Sequence, residues 1–150
     1  NSMAVVREFL AAASKRNLQV KDYGASTVTE IEASLRALAV NKPSGLFIPT
    51  DNLIHASLDR VLASAKEANV PVFDCTKSSV EKGAIFSVGT DYDRIGALSA
   101  RVAARVVFDG EPPEQIDVVD VAEGYIYVKE SLVLSEKLHP PSNYEVIRVP

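Results

Sequence analysis

The chain has 150 residues, of which 47% are hydrophobic and 24% are charged. This length and apolar share suit one folded domain with a real core, and they exclude a disordered chain, which needs low hydrophobicity and high net charge. The formal net charge of −4 leaves no basic surplus for binding phosphate backbones, so no nucleic-acid partner is expected.

Helical and strand-like patterns alternate along the chain, separated by glycine, proline and small polar residues. The first half is predicted to form a helix over 2–17 capped by Ser2, a strand over 18–23, a helix capped by Thr27 or Thr29 and ended by Pro43, a strand over 45–48, and a helix over 51–68. The second half is predicted to form strands over 70–73 and 84–88 with a helical turn over 78–81 between them, a helix over 93–108, strands over 117–121 and 125–128, a short helix over 132–138, and an extended segment over 144–149.

This alternation predicts an α/β fold. Strands that alternate with amphipathic helices pair in parallel through right-handed crossovers, so we expect a three-layer helix-sheet-helix domain with a mostly parallel sheet. Such a domain usually opens on a central strand, whereas this chain opens on a helix. Either that strand lies upstream of Asn1, which we favour, or the segment 144–149 takes its position.

Polar residues follow the predicted strands. Ligands of open parallel sheets bind beyond the carboxyl ends of the strands, where this chain has the segments 25–27, 49–52, 74–76 and 89–92. Helix N-termini at the same edge favour a ligand carboxylate, and Asp51, Asp74 or Asp91 is available for an ammonium group. The pattern therefore predicts a polar pocket for a small zwitterion.

The same residue types also have structural roles. Ser26, Thr27, Asn52 and Asp93 are suited to cap helices, and capping is the more common role for such residues after a strand. Tyr92 is either a core tyrosine or a platform on which a ligand stacks.

Enzyme signatures are sparse. The sequence has no glycine-rich phosphate loop and no Gly-x-Ser-x-Gly elbow, and His55 is expected at the surface rather than as a general base. Cys75 is the single cysteine, so it excludes an internal disulfide and a cysteine-rich metal site, and we expect a buried, unreactive thiol. We therefore predict a protein that is not an enzyme, with no catalytic residues, no cofactor and no metal.

Three motifs occur in a specific order: Ile-Pro-Thr-Asp-Asn at 48–52, Pro-Val-Phe-Asp at 71–74, and Val-Gly-Thr-Asp-Tyr at 88–92. In this order the chain resembles, over nearly its whole length, the ABC transporter substrate-binding protein family whose better-known members bind tryptophan and related amino acids. The resemblance implies a two-lobed, type I periplasmic-binding-protein fold whose lobes close on the ligand.

The resemblance also implies a division of the chain and a set of site residues. Residues 1–122 would form a single α/β lobe, mainly the second lobe, and residues 123–150 a crossover or hinge segment with the C-terminal strand, so that the first lobe is missing. The residues implied to line the ligand cleft are Asn1, Ser2, Ser26, Thr50, Asp51, Asn52, Asp74, Asp91 and Tyr92.

The leading functional hypothesis is the solute-binding component of an ABC-type importer. It would bind an amino-acid-like or peptide-like ligand without catalysis, work with ABC permease subunits, and be extracytoplasmic, either periplasmic or as a membrane-anchored lipoprotein. An isolated lobe exposes its cleft and sheet edges, which favours a homodimer. The alternatives are a ligand-sensing effector domain of a transcriptional regulator or membrane receptor, and a small α/β enzyme that acts at the same sheet edge.

Overall fold

The computed structural model describes residues 2–118, 124–130 and 144–149. The helices are α1 (Ser2–Ser14), α2 (Val28–Asn41), α3 (Asn52–Ala56), α4 (Leu58–Glu67), α5 (Lys77–Lys82) and α6 (Tyr92–Val107), with a 3-10 turn at Pro113–Gln115. The strands are β1 (Leu46–Phe47), β2 (Val72–Asp74), β3 (Phe86–Gly89), β4 (Tyr125–Lys129) and β5 (Glu145–Val149). Among these helices none is long and apolar enough to span a membrane.

The five strands form one sheet in the order β1-β2-β3-β4-β5. β1 pairs with β2, β2 with β3, and β4 with β5 in parallel, whereas β3 and β4 pair antiparallel. The prediction of a mostly parallel sheet is therefore confirmed, and the β3–β4 pair is the exception to it.

Helices lie on both faces of the sheet. Consecutive residues of a strand point to opposite faces, and Phe47 stacks on Phe9 of α1 with ring centroids 4.3 Å apart. Ile48 follows Phe47 and continues the hydrogen-bond ladder between β1 and β2, since its N–H donates to the Phe73 carbonyl. Its side chain belongs to the buried core on the other face of the sheet. The helical residues of that core are Ile31 and Leu38 of α2, Leu58, Val61, Leu62 and Ala65 of α4, and Val80 of α5. The helix-sheet-helix prediction is confirmed.

Side-chain and backbone caps define both ends of α2. Thr27 is the cap residue, as one of the two predictions had it, because its Oγ1 accepts a hydrogen bond from the Glu30 N–H at 3.2 Å. The Glu30 carboxylate reaches back to accept from the Ser26 N–H at 2.6 Å. At the other end Lys42 adopts a left-handed conformation (φ 41°) and donates its N–H to the Leu38 carbonyl.

The ends of α1 differ from the prediction. Ser2 is the first residue of the helix, so the prediction that it is the cap is wrong. The helix ends at Ser14, and Asn17 takes a positive φ of 55° that allows the Leu18 N–H to reach the Ala13 carbonyl at 3.0 Å. This six-residue closure is a Schellman-type end.

The predicted strand over 18–23 is wrong. These residues have no regular secondary structure, and Leu18 is 59% exposed. The apolar side chains of the alternating pattern are not buried, since Val20 is 40% and Tyr23 39% exposed, so no burial favours a strand beside the edge strand β1. The segment 144–149 does not take a central position either, since β5 lies beside β4 at the edge opposite to β1.

Two other predicted elements need correction. The single helix over 51–68 is divided into α3 and α4 at Ser57, which leaves helical geometry (φ −108°, ψ 12°) and donates its N–H to the Ile54 carbonyl in a tight turn. Residues 117 and 118 belong to no strand. The rest of the predicted strand over 117–121, and the predicted helix over 132–138, lie outside the described residues.

We expect Gly89→Ala to destabilise the fold. A Cβ at this position would lie 2.2 Å from the Cys75 carbonyl oxygen, so the backbone of β2 or β3 must shift. Urea unfolding should show a loss of about 1–3 kcal/mol in the free energy of unfolding. The matched control is Gly96→Ala on α6, where a Cβ meets no atom within 4 Å and should stabilise the helix by about 0.5–1 kcal/mol. Wild-type stability of Gly89→Ala would contradict the packing of these two strand ends.

Candidate functional site

The carboxyl ends of β1, β2 and β3 lie side by side, because the three strands are parallel neighbours. Thr50, which follows β1, lies close enough to Cys75, which follows β2, to influence the pKa of its thiol. Gly89, at the end of β3, packs directly on the Cys75 carbonyl. The predicted turns 49–52, 74–76 and 89–92 therefore meet at one edge of the sheet, which we call the strand-end edge.

Two carboxylates of this edge cap helices. Asp51 Oδ1 accepts hydrogen bonds from the N–H groups of Leu53 at 2.9 Å and Ile54 at 3.2 Å. Asp91 Oδ1 accepts from the N–H groups of Asp93 at 2.9 Å and Arg94 at 3.2 Å. The caps of α3 and α6 are thus Asp51 and Asp91, and not the neighbouring Asn52 and Asp93 that the sequence suggested. Capping engages one oxygen of each carboxylate, and Oδ2 accepts no hydrogen bond within the described part of the chain.

The third carboxylate, that of Asp74, is buried. The residue is 2% exposed, and its Oδ1 accepts from the Cys75 N–H at 2.6 Å, the Thr76 N–H at 2.9 Å and the Thr76 hydroxyl at 3.0 Å. His55 Nε2 lies 3.2 Å from both Oδ1 and Oδ2. Asp74 was one of the three carboxylates predicted to be available for a ligand ammonium. In the structure these donors enclose its carboxylate.

His55 is the residue at this edge that sequence reasoning missed. It was expected at the surface, yet its side chain is only 20% exposed because it lies against Asp74. Its position on the helix contained a usable clue. His55 is four residues after Asp51, so one turn of α3 returns it to the same side of the helix as the cap residue.

Burial controls the protonation of two further side chains near the edge. Desolvation raises the pKa of the Cys75 thiol, and the neighbouring Asp74 carboxylate adds to this rise, while hydrogen bonds with Thr50 oppose it. Thiolate formation at neutral pH is therefore suppressed, which agrees with the unreactive thiol expected from the sequence. Burial likewise raises the pKa of Tyr127 on β4, with the Asp91 carboxylate as the next contribution.

The remaining predicted site residues are Tyr92, Asn52, Ser2 and Ser26, since Asn1 lies outside the described residues. Tyr92 is 66% exposed at the start of α6, so it is not a core tyrosine, and Asn52 is exposed at the start of α3. Ser2 is half-buried at the start of α1 and Ser26 is exposed just before α2. In the part of the chain that the structure describes, neither serine hydrogen-bonds the three turns. The structure thus brings together the residues from the turns after β1, β2 and β3.

A separate groove of about 740 Å³ lies at the opposite edge of the sheet. It includes Val70 and Pro71, which lead into β2, and the basic residues Lys66, Lys82 and Lys129. Lys82 is paired there with Asp59 at 2.9 Å.

Within residues 2–118, 124–130 and 144–149, no three His, Cys, Asp or Glu side chains gather as a metal site requires.

The open, mostly parallel sheet with polar turns after β1, β2 and β3 has the architecture of α/β domains that bind ligands at the carboxyl ends of their strands. More specifically, the chain belongs to the ABC transporter substrate binding protein family, whose sequence model matches residues 1–139. The family resemblance seen in the three sequence motifs is thereby confirmed. A tyrosine-binding protein of Clostridioides difficile is 32% identical over 130 residues, which are 87% of this chain and 37% of that protein.

Solved structures share this architecture. A conserved domain protein from Vibrio cholerae and an ABC domain in complex with L-Trp from Streptococcus pneumoniae each have a TM-score of 0.77 at 22% identity, and they match 99% and 97% of this chain. A ligand-free, open substrate-binding protein with adhesive properties from Clostridium difficile has a TM-score of 0.66 at 28% identity over 100% of the chain. The matches cover 51%, 52% and 51% of those chains, so this chain spans about half the length of these relatives.

The raised pKa of Tyr127 predicts a loss of stability at alkaline pH. The unfolded chain releases this proton near pH 10 whereas the folded chain keeps it. The stabilisation is therefore complete below pH 10 and is lost as the pH rises through the folded-state pKa. Tyr127→Phe should reduce the fall in unfolding free energy between pH 8 and pH 10.5, as measured by urea titration. Tyr92→Phe, at an exposed position, is the control and should leave the fall unchanged. An identical fall in wild type and Tyr127→Phe would refute the assignment.

Proposed function

We propose that this chain is one lobe of the solute-binding component of an ABC importer, and that it binds a small amino-acid-like ligand at the strand-end edge without catalysis. The observation that carries the proposal is the meeting of three polar turns at one edge, where Asp51 and Asp91 each keep one carboxylate oxygen without a hydrogen bond to the described chain. Such oxygens are suited to an ammonium group.

The other residues of the edge suit the rest of an amino acid. The exposed Thr50 and Asn52 offer a hydroxyl and an amide, and the exposed ring of Tyr92 offers a surface for an apolar or aromatic side chain. The names of two relatives, a tyrosine-binding protein and a domain in complex with L-Trp, support an aromatic amino acid as the ligand class. Ser2, Ser26 and Asp74 complete the proposed set of site residues, the last as a buried support.

The exposure of Thr50, Asn52 and Tyr92 agrees with a half-site. In a two-lobed receptor each lobe contributes one wall, and closure about a hinge removes the ligand from water. This chain spans about half the length of its solved relatives, which supports a single lobe. In this proposal residues 1–122 form the lobe and residues 123–150 the crossover with the C-terminal strand. An importer role implies permease subunits as partners and an extracytoplasmic location, as a periplasmic protein or a lipoprotein.

Calorimetric titration with L-tyrosine and L-tryptophan tests the proposed ligand class. The full-length product of the gene should bind at least one of them, and this 150-residue chain should bind far more weakly because it supplies only one wall. Micromolar or tighter binding by the chain alone would contradict the half-site, and no binding by the full-length product would contradict the ligand class.

Substitutions in the full-length product test the location of the site. Asp51→Asn and Asp91→Asn keep a side chain that caps helices well but remove the charge that faces the ammonium. Each should weaken binding by about tenfold or more, with little change in stability. Asp109→Asn, at an exposed position two residues after the end of α6, is the matched control and should bind like wild type. If all three variants bind alike, the ligand does not contact these carboxylates.

A further inference from the structure

We propose that His55 is a specificity-determining residue whose Nδ1 accepts a hydrogen bond from a donor group of the ligand, either an ammonium or a hydroxyl group. Asp74 is the positioning residue that holds the imidazole in the tautomer required. The inference rests on the proposed function, since it adds a contact to the same strand-end edge.

The hydrogen bonds of Asp74 determine where the imidazole proton lies. Three donors surround Asp74 Oδ1, namely two backbone N–H groups and the Thr76 hydroxyl, so this oxygen is the acceptor in all three hydrogen bonds. An ionised carboxylate only accepts hydrogen bonds. His55 Nε2, at 3.2 Å from both oxygens, must therefore carry the proton. In the neutral ring this leaves Nδ1 as an acceptor.

The second ring nitrogen is accessible. His55 Nδ1 has no hydrogen bond within the part of the chain that the structure describes. If Nδ1 were buried, it would be a buried polar atom without a partner. Among the described residues, Ser87 Oγ is the one side-chain atom of that kind. Nδ1 therefore contacts solvent, although the side chain as a whole is four-fifths buried.

The position of the ring brings this acceptor to the proposed ligand. His55 lies one helical turn after Asp51 and bonds the last residue of β2, so the imidazole sits between the turns that follow β1 and β2. The carboxylate of Asp74 contacts the ring and that of Asp51 caps the same helix, and carboxylates attract cationic and donor groups and repel anionic ones. A neutral acceptor beside them is suited to a ligand donor.

A purely structural role is the competing explanation, because the pair also links α3 to the turn after β2. His55→Gln separates the two roles. The glutamine amide N–H takes the place of Nε2–H and still donates to Asp74, but the variant has no atom equivalent to Nδ1. In the full-length product, His55→Gln should keep the wild-type melting temperature while its affinity for L-tyrosine falls by about tenfold or more. Wild-type affinity of His55→Gln would overturn the proposal.

Two ligand analogues identify the donor. L-Phenylalanine lacks the hydroxyl of L-tyrosine, and 3-(4-hydroxyphenyl)propionate lacks its ammonium. The difference in affinity between wild type and His55→Gln should disappear for the analogue that lacks the contacting group. A difference that persists undiminished with both analogues would show that the ring has no ligand donor as its partner, and would overturn the proposal.

The tautomer itself gives a readout that does not depend on ligand. Nitrogen-15 NMR of the ligand-free chain at neutral pH should show His55 protonated at Nε2 and unprotonated at Nδ1, with His55→Gln identifying the signals. Protonation at Nδ1 would overturn the acceptor role while leaving the proposed function intact. If instead the wild-type protein binds none of the ligands, the proposed function fails, and the ligand contact fails with it.

Discussion

The buried carboxylate of Asp74 is the interaction on which the strand-end edge depends. A charge removed from water is costly unless hydrogen bonds and opposite or polar groups surround it. Asp74 meets this requirement because it accepts hydrogen bonds from the N–H groups of Cys75 and Thr76 and its carboxylate lies 3.2 Å from His55 Nε2. These contacts hold the turn after β2 against helix α3. Gly89 at the end of β3 packs on the Cys75 carbonyl, so the end of β3 is held against the same turn.

Helix capping and ligand binding are compatible roles at this edge. Asp51 and Asp91 each use one oxygen to accept from the first N–H groups of a helix, which fixes the carboxylate in position. The second oxygen of each is then presented by a rigid element rather than by a loose loop. A receptor that relies on hydrogen bonds benefits from such pre-ordering, since less conformational entropy is lost when the ligand binds.

Local features of the fold could be predicted from the sequence, and non-local ones could not. The cap of α2 depends on spacing within a few residues, and the structure has Thr27, one of the two predicted cap residues, in that position. The strand over 18–23 was predicted wrongly because a strand requires a neighbour that the alternating pattern does not reveal. The His55–Asp74 pair was missed because 19 positions separate its members, and the antiparallel β3–β4 pairing depends on the path of the chain after α6.

The central claim is that the ligand binds where the turns after β1, β2 and β3 meet. The most direct test is an NMR titration of the labelled 150-residue chain with L-tryptophan, because chemical-shift changes report even the weak binding expected of the proposed half-site. The account predicts that the amide signals of 50–55, 74–76 and 89–92 move together and saturate with one apparent affinity. Shift changes confined to the groove of Lys66, Lys82 and Lys129, with the three turns unperturbed, would contradict it.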